Sequence, residues 1–346
     1  MSTTPEHATT FPANLAVTTG ETAPLDIGEP TWTEEQRFKG PSGPRSRVRL
    51  TGHLALGGDR PHLISVSEPD PSLVGAGTAA PLRVIFPGWT EAADGFTRHL
   101  HDAAAADRPG SRTLTIATDG VSINGPALPY RAAVTRTFTE MARDRLAIIS
   151  HFAAGGAVTF LGRSMGAVLA MRTAELHLQA SPGTLFPLAE LQLLSPGVIA
   201  ADVPEEVTFR SPLDTMPQRL KMFVEFLGHV GADVVRESAR HPVEAVKAGR
   251  TIVALAAACG HDTRKAAAIG GNLLQLWAGI PWKSIVSVAA NYPISVLTGS
   301  KDTVREVEQW QTLQGMYPHN VRLRVLGGKG HIMSLDAIRT VGHLAA

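Results

Sequence analysis

The chain has 346 residues, of which 44% are hydrophobic and 18% charged, with 32 basic and 31 acidic side chains. This composition is typical of a folded globular chain with a sizeable core, and the lack of a basic stripe argues against a nucleic-acid partner. The single cysteine, Cys259, excludes an intramolecular disulfide framework and a four-cysteine metal site.

The first 30 residues contain neither the basic region nor the apolar run of a secretory signal. No uncharged stretch exceeds 17 residues, and one of that length, residues 266–282, includes glycine, asparagine, glutamine and proline. A transmembrane helix needs about 20 predominantly apolar residues, so we expect no membrane span. The sequence therefore predicts a soluble cytoplasmic protein.

The N-terminal part of the chain changes character near residue 40. Residues 1–40 are rich in Thr, Pro, Glu and Ala without periodicity, which predicts a leader that is either loose or partly extended and packed onto the body. Alternating apolar residues in 47–56 and 62–67 then predict an antiparallel hairpin. Residues 82–86 form a third strand-like run, which stops at Pro87-Gly88.

Strands and helices alternate from residue 94 onward. The pattern predicts helices over 94–106 and 130–153, and strands over 112–117, 157–161 and 191–194. Such alternation is typical of βαβ units, in which right-handed crossovers place helices on both faces of a parallel sheet. We therefore expect an α/β fold with a mostly parallel central sheet.

The alternation stops between residues 204 and 284, where helical patterns predominate and no strand is evident. It resumes with strands over 292–298 and 321–326, separated by a helix over 304–316 and followed by a closing helix. These changes predict an α/β core made of residues 41–203 and 285–346, with residues 204–284 inserted as a helical cap.

The segment Gly162-Arg-Ser-Met-Gly166 joins the strand over 157–161 to an Ala- and Leu-rich helix. G-x-S-x-G in a strand–turn–helix context is the pattern of an exposed serine nucleophile, since the sharp turn requires small flanking residues. The serine would also begin a helix, where unpaired N–H groups stabilise a developing anion. Ser164 is therefore a candidate nucleophile, with Gly162 and Gly166 as the glycines of the turn.

A serine hydroxyl needs a base to take its proton and a third group to orient that base. Asp302 follows the strand over 292–298, and His331 follows the strand over 321–326. The carboxyl ends of parallel strands meet at one edge of a sheet, so these side chains are candidate partners of Ser164. Asp202 and Glu306 are alternative acids. Asp302 could instead cap the following helix, and His331 could be purely structural.

The ordered set of motifs resembles the α/β-hydrolase fold family from about residue 47 to the C-terminus. The resemblance rests on the G-x-S-x-G segment, Leu297-Thr-Gly-Ser-Lys-Asp302, Gly328-Lys-Gly-His331 and Phe86-Pro-Gly-Trp89. It implies that Ser164, Asp302 and His331 form a catalytic triad, in the chain order expected of this family.

The same resemblance implies an oxyanion hole made of the backbone N–H groups of Met165 and Trp89. The family often has His-Gly at the position that Pro87-Gly88 occupies here. Asp202 stays open as the acid, because some members take it from the earlier strand. The loop from Asp119 to Gly125 is similar to one that shapes the family's substrate pocket.

Other constellations carry less weight. His99, His101 and Asp102 could suggest a metal, but residues two apart on a helix point in different directions, so we expect surface positions. Cys259 lies in the helical insertion and is interpreted as a buried structural residue. Neither a metal nor a cofactor is implied.

The sequence thus predicts a serine hydrolase that cleaves a small-molecule carboxylic ester through an acyl-enzyme intermediate. The apolar composition of the cap favours an apolar acyl or alcohol group. The alternatives on the same fold are a thioesterase, an acyltransferase, a peptidase and a cofactor-free haloperoxidase-like enzyme. A non-catalytic ligand-binding relative is the alternative outside enzymes.

Overall fold

A single mixed sheet organises the computed structural model. The described residues are 27–39, 46–57, 60–75, 79–88, 95–122, 125–180, 185–197, 253, 256–278, 280–302 and 307–330. Within them the sheet has nine strands: β1 Thr31–Lys39, β2 Ser46–Leu56, β3 Arg60–Ser67, β4 Leu82–Phe86, β5 Arg112–Ile116, β6 Val158–Arg163, β7 Leu188–Leu194, β8 Ile294–Gly299 and β9 Val321–Leu326.

Seven helices accompany the sheet in the described residues: α1 Gly95–Asp107, α2 Tyr130–Thr135, α3 Phe138–Ala153, α4 Met165–Gln179, α5 Thr263–Ala278, α6 Trp282–Asn291 and α7 Val307–Met316. Residues 256–261 are also helical, and Pro71–Leu73 forms a short 3₁₀ turn. None of the helices among the described residues has the length and apolar character needed to cross a membrane.

The strand order is β1-β2-β3-β5-β4-β6-β7-β8-β9. The pairs β1–β2, β2–β3 and β3–β5 are antiparallel. Every other neighbouring pair, from β5–β4 to β8–β9, is parallel. The predicted α/β fold with a mostly parallel sheet is confirmed. Since β6, β7 and β8 are neighbours, their carboxyl ends bring the segments after Arg163, Leu194 and Gly299 together.

Apolar side chains cover both faces of the sheet because alternate residues of each strand point to opposite sides. Phe86, Phe160 and Leu193 belong to the larger cluster, with residues of α3, α4 and α6. Leu161 and Leu194 belong to a second cluster on the other face, with Leu100 and Ala104 of α1 among others. Helices therefore lie on both faces, as predicted.

Strand β1 lies within the segment that the sequence predicts to be a loose leader. It pairs with β2 from Thr31↔His53 to Lys39↔Ser46. Most of its residues are exposed, among them Trp32 at 37%. Because no face of this strand is buried, its sequence lacks the apolar alternation by which a strand is predicted.

The single helix predicted over residues 130–153 is wrong in part, because it is divided into α2 and α3 at Arg136-Thr137. The Thr137 hydroxyl accepts from the Glu140 N–H at 3.2 Å, and the Glu140 carboxylate accepts from the Thr137 N–H at 2.6 Å. This capping box satisfies the N–H groups that a new helix start leaves open. Thr-x-x-Glu was the available signal in the sequence.

Candidate active site

Ser164 occupies the turn between β6 and α4. Its backbone has φ 50° and ψ −120°, a conformation that side-chain-bearing residues rarely adopt. The Ser164 N–H donates to the Leu194 carbonyl at 3.0 Å, and the Ser164 carbonyl accepts from the N–H groups of Ala167 and Gly197, each at 3.0 Å. The side chain does not cap α4 and is half-buried. These bonds fix a strained turn whose serine stays outside the helix.

The two glycines of the turn permit its tight packing. A Cβ on Gly166 would lie 2.0 Å from the carbonyl oxygen of Phe86, and a Cβ on Gly162 would lie 2.6 Å from Ala167 Cα. Neither contact is possible for a side-chain-bearing residue without backbone movement. The first turn of α4, including the buried Met165, therefore lies directly against the end of β4.

Asp302 follows β8 and is buried, with 6% of its surface exposed. Its N–H donates to the Gly299 carbonyl at 3.1 Å, which turns the chain back toward the strand end. The Thr298 hydroxyl donates to its carboxylate at 3.3 Å. A buried carboxylate at the end of a parallel strand is thus held by a group from the same strand.

The loop after β8 is bonded to the loop after β9. The Lys301 N–H donates to the Lys329 carbonyl at 2.8 Å, and the Gly328 N–H donates to the Ser300 hydroxyl at 2.8 Å. A Cβ on Gly299 would lie 2.1 Å from the Lys329 carbonyl oxygen, so the two loops are in close contact. The chain therefore reaches Gly330, the residue before His331, beside the loop that carries Asp302.

His331, Trp89 and Asp202 lie outside the described residues, as does Glu306. The positions proposed for the base, the second oxyanion donor and the alternative acids thus stay predictions from the sequence. Ser164, Met165 and Asp302 are described, and the first two lie together at the carboxyl end of β6.

Arg163, the residue before the candidate nucleophile, is a buried guanidinium that the sequence pattern gave no reason to single out. It is 7% exposed. Burial lowers the pKa of Arg163 to about 10, and the charge of Asp302 opposes that effect. The side chain stays protonated at neutral pH, so a positive charge lies inside the protein next to Ser164.

A second charged group follows β5, in the loop that the sequence assigns to pocket shaping. Asp119 contacts His62 Nδ1 at 2.9 Å, Arg136 Nη1 at 2.6 Å and Arg145 Nη1 at 3.4 Å. Arg136 also pairs with Asp144. We call these five residues the Asp119 cluster. Burial raises the pKa of Asp119, but the two arginines and His62 outweigh burial and hold it well below its usual range.

Helix α5, which lies in the predicted cap, packs onto the loop that carries Asp119. The Lys265 ammonium donates to the Ser122 carbonyl at 3.0 Å, and the Asn272 amide donates to the Asp119 carbonyl at 3.4 Å. A Cβ on Gly271 would lie 2.3 Å from the Ala133 carbonyl oxygen. Small residues and two polar anchors thus join α5 to the core beside the carboxyl end of β5.

Replacing Asp119 with alanine is expected to lower the free energy of unfolding by about 3–5 kcal/mol, because it leaves buried guanidinium groups without a carboxylate. The measurement is urea unfolding, with Glu35→Ala as the control, since Glu35 pairs with Arg37 at the surface. The folded pKa of Asp119 lies below the unfolded value of about 3.9, so its contribution is present above that pH and is lost as the pH falls further. Equal urea midpoints for Asp119→Ala and Glu35→Ala would contradict the prediction.

His101 is buried at 1% exposure, which corrects the expectation that it lies on the surface. Its Nε2 is 2.9 Å from the Ser67 hydroxyl and its Nδ1 is 2.8 Å from the Thr115 hydroxyl. Burial lowers the pKa of His101 well below its usual value, so the ring is neutral and joins α1 to β3 and β5. Cys259 is half-buried and unpaired, rather than fully buried. The described residues contain no group of three metal-ligating side chains.

Comparison of the sequence with known families found no matching family model. No curated protein matches it either.

Several solved structures share the architecture. An esterase from Thermogutta terrifontis has a TM-score of 0.54 at 15% identity, covering 90% of this chain and 97% of its own. A thioesterase domain from the curacin biosynthetic pathway has a TM-score of 0.52 at 15% identity, covering 85% and 98%. VinJ has a TM-score of 0.52 at 14% identity, covering 85% and 96%. At these identities the likeness establishes the fold.

Proposed function

Because the chain has the α/β-hydrolase fold, we propose that it is a serine hydrolase that cleaves a carboxylic ester through an acyl-enzyme intermediate. The observation that carries the proposal is the strained Ser164 turn, with φ 50°, at a strand end two strands away from a buried Asp302. Strain of this kind persists where the surrounding structure imposes it, and it keeps the hydroxyl outside the helix. The serine distinguishes this site from hydrolases that use an aspartate nucleophile.

In the proposed reaction His331 takes the hydroxyl proton of Ser164 as the oxygen attacks the acyl carbonyl. The negative charge that develops on the carbonyl oxygen is stabilised by the N–H groups of Met165 and Trp89. Asp302 orients His331 and stabilises its protonated form. The close contact between the loops after β8 and β9 supports this pairing, because Gly330 immediately precedes His331.

His331 then gives the proton to the leaving alcohol, and the C–O bond of the tetrahedral intermediate breaks to leave an acyl group on Ser164. A water molecule, deprotonated by the same imidazole, releases the acid and restores the serine. No cofactor takes part. The apolar residues of the predicted cap support a small-molecule ester with an apolar acyl or alcohol group as the substrate. The cytoplasmic location stays a prediction from the sequence.

The test is covalent labelling with an alkyl fluorophosphonate, whose phosphorus is attacked by an activated serine oxygen with loss of fluoride. We expect one adduct per chain, and tryptic mapping should place it on Ser164. A Ser150→Ala variant is the matched control, because the Ser150 hydroxyl is buried and donates to the Leu146 carbonyl within α3. A folded protein that does not label would make the proposal wrong and favour the non-catalytic alternative. An adduct on another residue would also make it wrong, and would place the nucleophile elsewhere.

A further inference from the structure

A buried positive charge directly precedes the candidate nucleophile. Arg163 is the last residue of β6 and lies two positions after Leu161, so both side chains point to the face of the sheet that α1 covers. Leu161 packs there with Leu194 and Leu297. A guanidinium buried at 7% exposure beside such residues costs free energy unless an anion lies nearby.

The register of the sheet shows which anion is within reach. Arg163 pairs with Leu194, and Leu194 pairs with Leu297. The backbones of Arg163 and Leu297 are therefore two strand spacings apart, roughly 9.5 Å. Asp302 turns back over the end of β8 through the bond from its N–H to the Gly299 carbonyl, and its carboxylate is 6% exposed. The two buried side chains thus end near the same strand termini.

The charges also interact across that gap. The Asp302 carboxylate raises the pKa of Arg163 against the larger effect of burial, which lowers it to about 10. The attraction is mutual, so the guanidinium also draws the Asp302 carboxylate toward the end of β6. The Thr298 hydroxyl, a neutral group, donates to the same carboxylate at 3.3 Å.

We infer that Arg163 is a positioning residue of the proposed hydrolase, whose buried guanidinium attracts the Asp302 carboxylate and holds it in place at the end of β8. The inference rests on the proposed function, because an acid that orients a histidine must be charged and held in place. Arg163 touches no reacting atom in this account. Its effect on catalysis passes through Asp302.

The experiment is a double-mutant cycle on ester hydrolysis, using Arg163→Met, Asp302→Asn and the double variant. We expect Arg163→Met to lower kcat/KM by about 10–100-fold in the wild-type background and by less than about twofold in the Asp302→Asn background, because residues that act through one another are not additive. Arg163→Lys keeps the charge, so it should recover most of the lost activity.

Arg83→Met provides the matched control. Arg83 is also a buried guanidinium, 2% exposed, and it pairs with Asp107 at 3.0 Å from the amino-terminal half of β4, away from the carboxyl ends of the strands. We expect it to lower the urea midpoint while kcat/KM stays within about twofold of wild type. Unchanged activity in Arg163→Met, or an equal loss in both backgrounds, would overturn the inference while leaving the proposed function intact.

Wild type, Arg163→Met, Asp302→Asn and the double variant also give a second cycle, in which the urea midpoint of unfolding is measured. If Arg163→Met has a low urea midpoint, the double variant should recover part of that decrease, because it no longer buries an unpaired charge. Losses that simply add would overturn the pairing. A wild-type protein that neither labels nor hydrolyses esters would overturn the proposed function, and the urea cycle would still decide whether the two charges interact.

Discussion

Ser164→Ala is expected to lower kcat for ester hydrolysis by about 10⁶-fold, since loss of the nucleophile in a serine triad removes the covalent route altogether. The fold should survive, because the backbone bonds of Ser164 to Leu194, Ala167 and Gly197 do not involve its side chain. Residual hydrolysis of about 10³–10⁴-fold over water is the contribution of the oxyanion donors and substrate binding. The measurement is steady-state hydrolysis of an activated aryl ester.

Ser150→Ala is again the matched control and should retain the wild-type rate. If Ser164→Ala kept more than about 1% of the wild-type kcat, the attacking group would have to be another residue or an activated water. A separate measurement on the wild-type protein compares kcat/KM for an aryl ester and a thioester with the same acyl group. It distinguishes an esterase from the thioesterase alternative.

The turn that carries Ser164 and the candidate acid Asp302 could both be singled out from the sequence, because each has a local signature. Gly162 to Gly166 follow a strand and precede a helix, and Asp302 closely follows another strand. The structure adds what local patterns lack. The crowding at Gly166, where a Cβ would lie 2.0 Å from the Phe86 carbonyl oxygen, joins α4 to β4, which lies 79 or more residues earlier in the chain.

The charged residues show why the remainder could not be predicted. Asp119 meets His62 from β3, Arg136 before α3 and Arg145 within it, so the cluster exists only once three distant segments have packed. Arg163 occupies an x position of the G-x-S-x-G motif, which carries no residue preference. Its charge interacts with that of Asp302, which follows β8 on the far side of β7. Sequence spacing is informative about neighbours on one element, and these contacts join different elements.

Secondary structure also divides into elements with a local signature in the sequence and elements that depend on their neighbours. The buried parallel strands can be predicted from the sequence because their apolar runs are continuous, as in β8, where every residue is buried. Strand β1 has no such run, because hydrogen bonds to β2, rather than burial, hold it in place. Helix α6 was not predicted as a separate element, although Pro281 occupies the N-cap position before Trp282.

The identity of the acid leads to the second large effect. Asp302→Asn is expected to reduce kcat by about 10⁴-fold with little change in KM, because a neutral amide no longer holds the histidine in the right tautomer or stabilises its charged form. The substitution keeps an acceptor oxygen for the Thr298 hydroxyl, which now lies 3.3 Å from the carboxylate, so the loop should keep its shape.

Asp202→Asn is the matched comparison, because both variants remove one negative charge and conserve side-chain volume. The structure favours Asp302 on two counts. Asp302 lies three residues beyond the end of β8, whereas the residue directly after β7 is Ser195, seven positions before Asp202. The loop of Asp302 is bonded to the chain that leads into His331, through Lys301 and Lys329 at 2.8 Å. A large loss of kcat in Asp202→Asn with near-normal activity in Asp302→Asn would reassign the acid to the earlier strand, and Arg163 would then lose its proposed role.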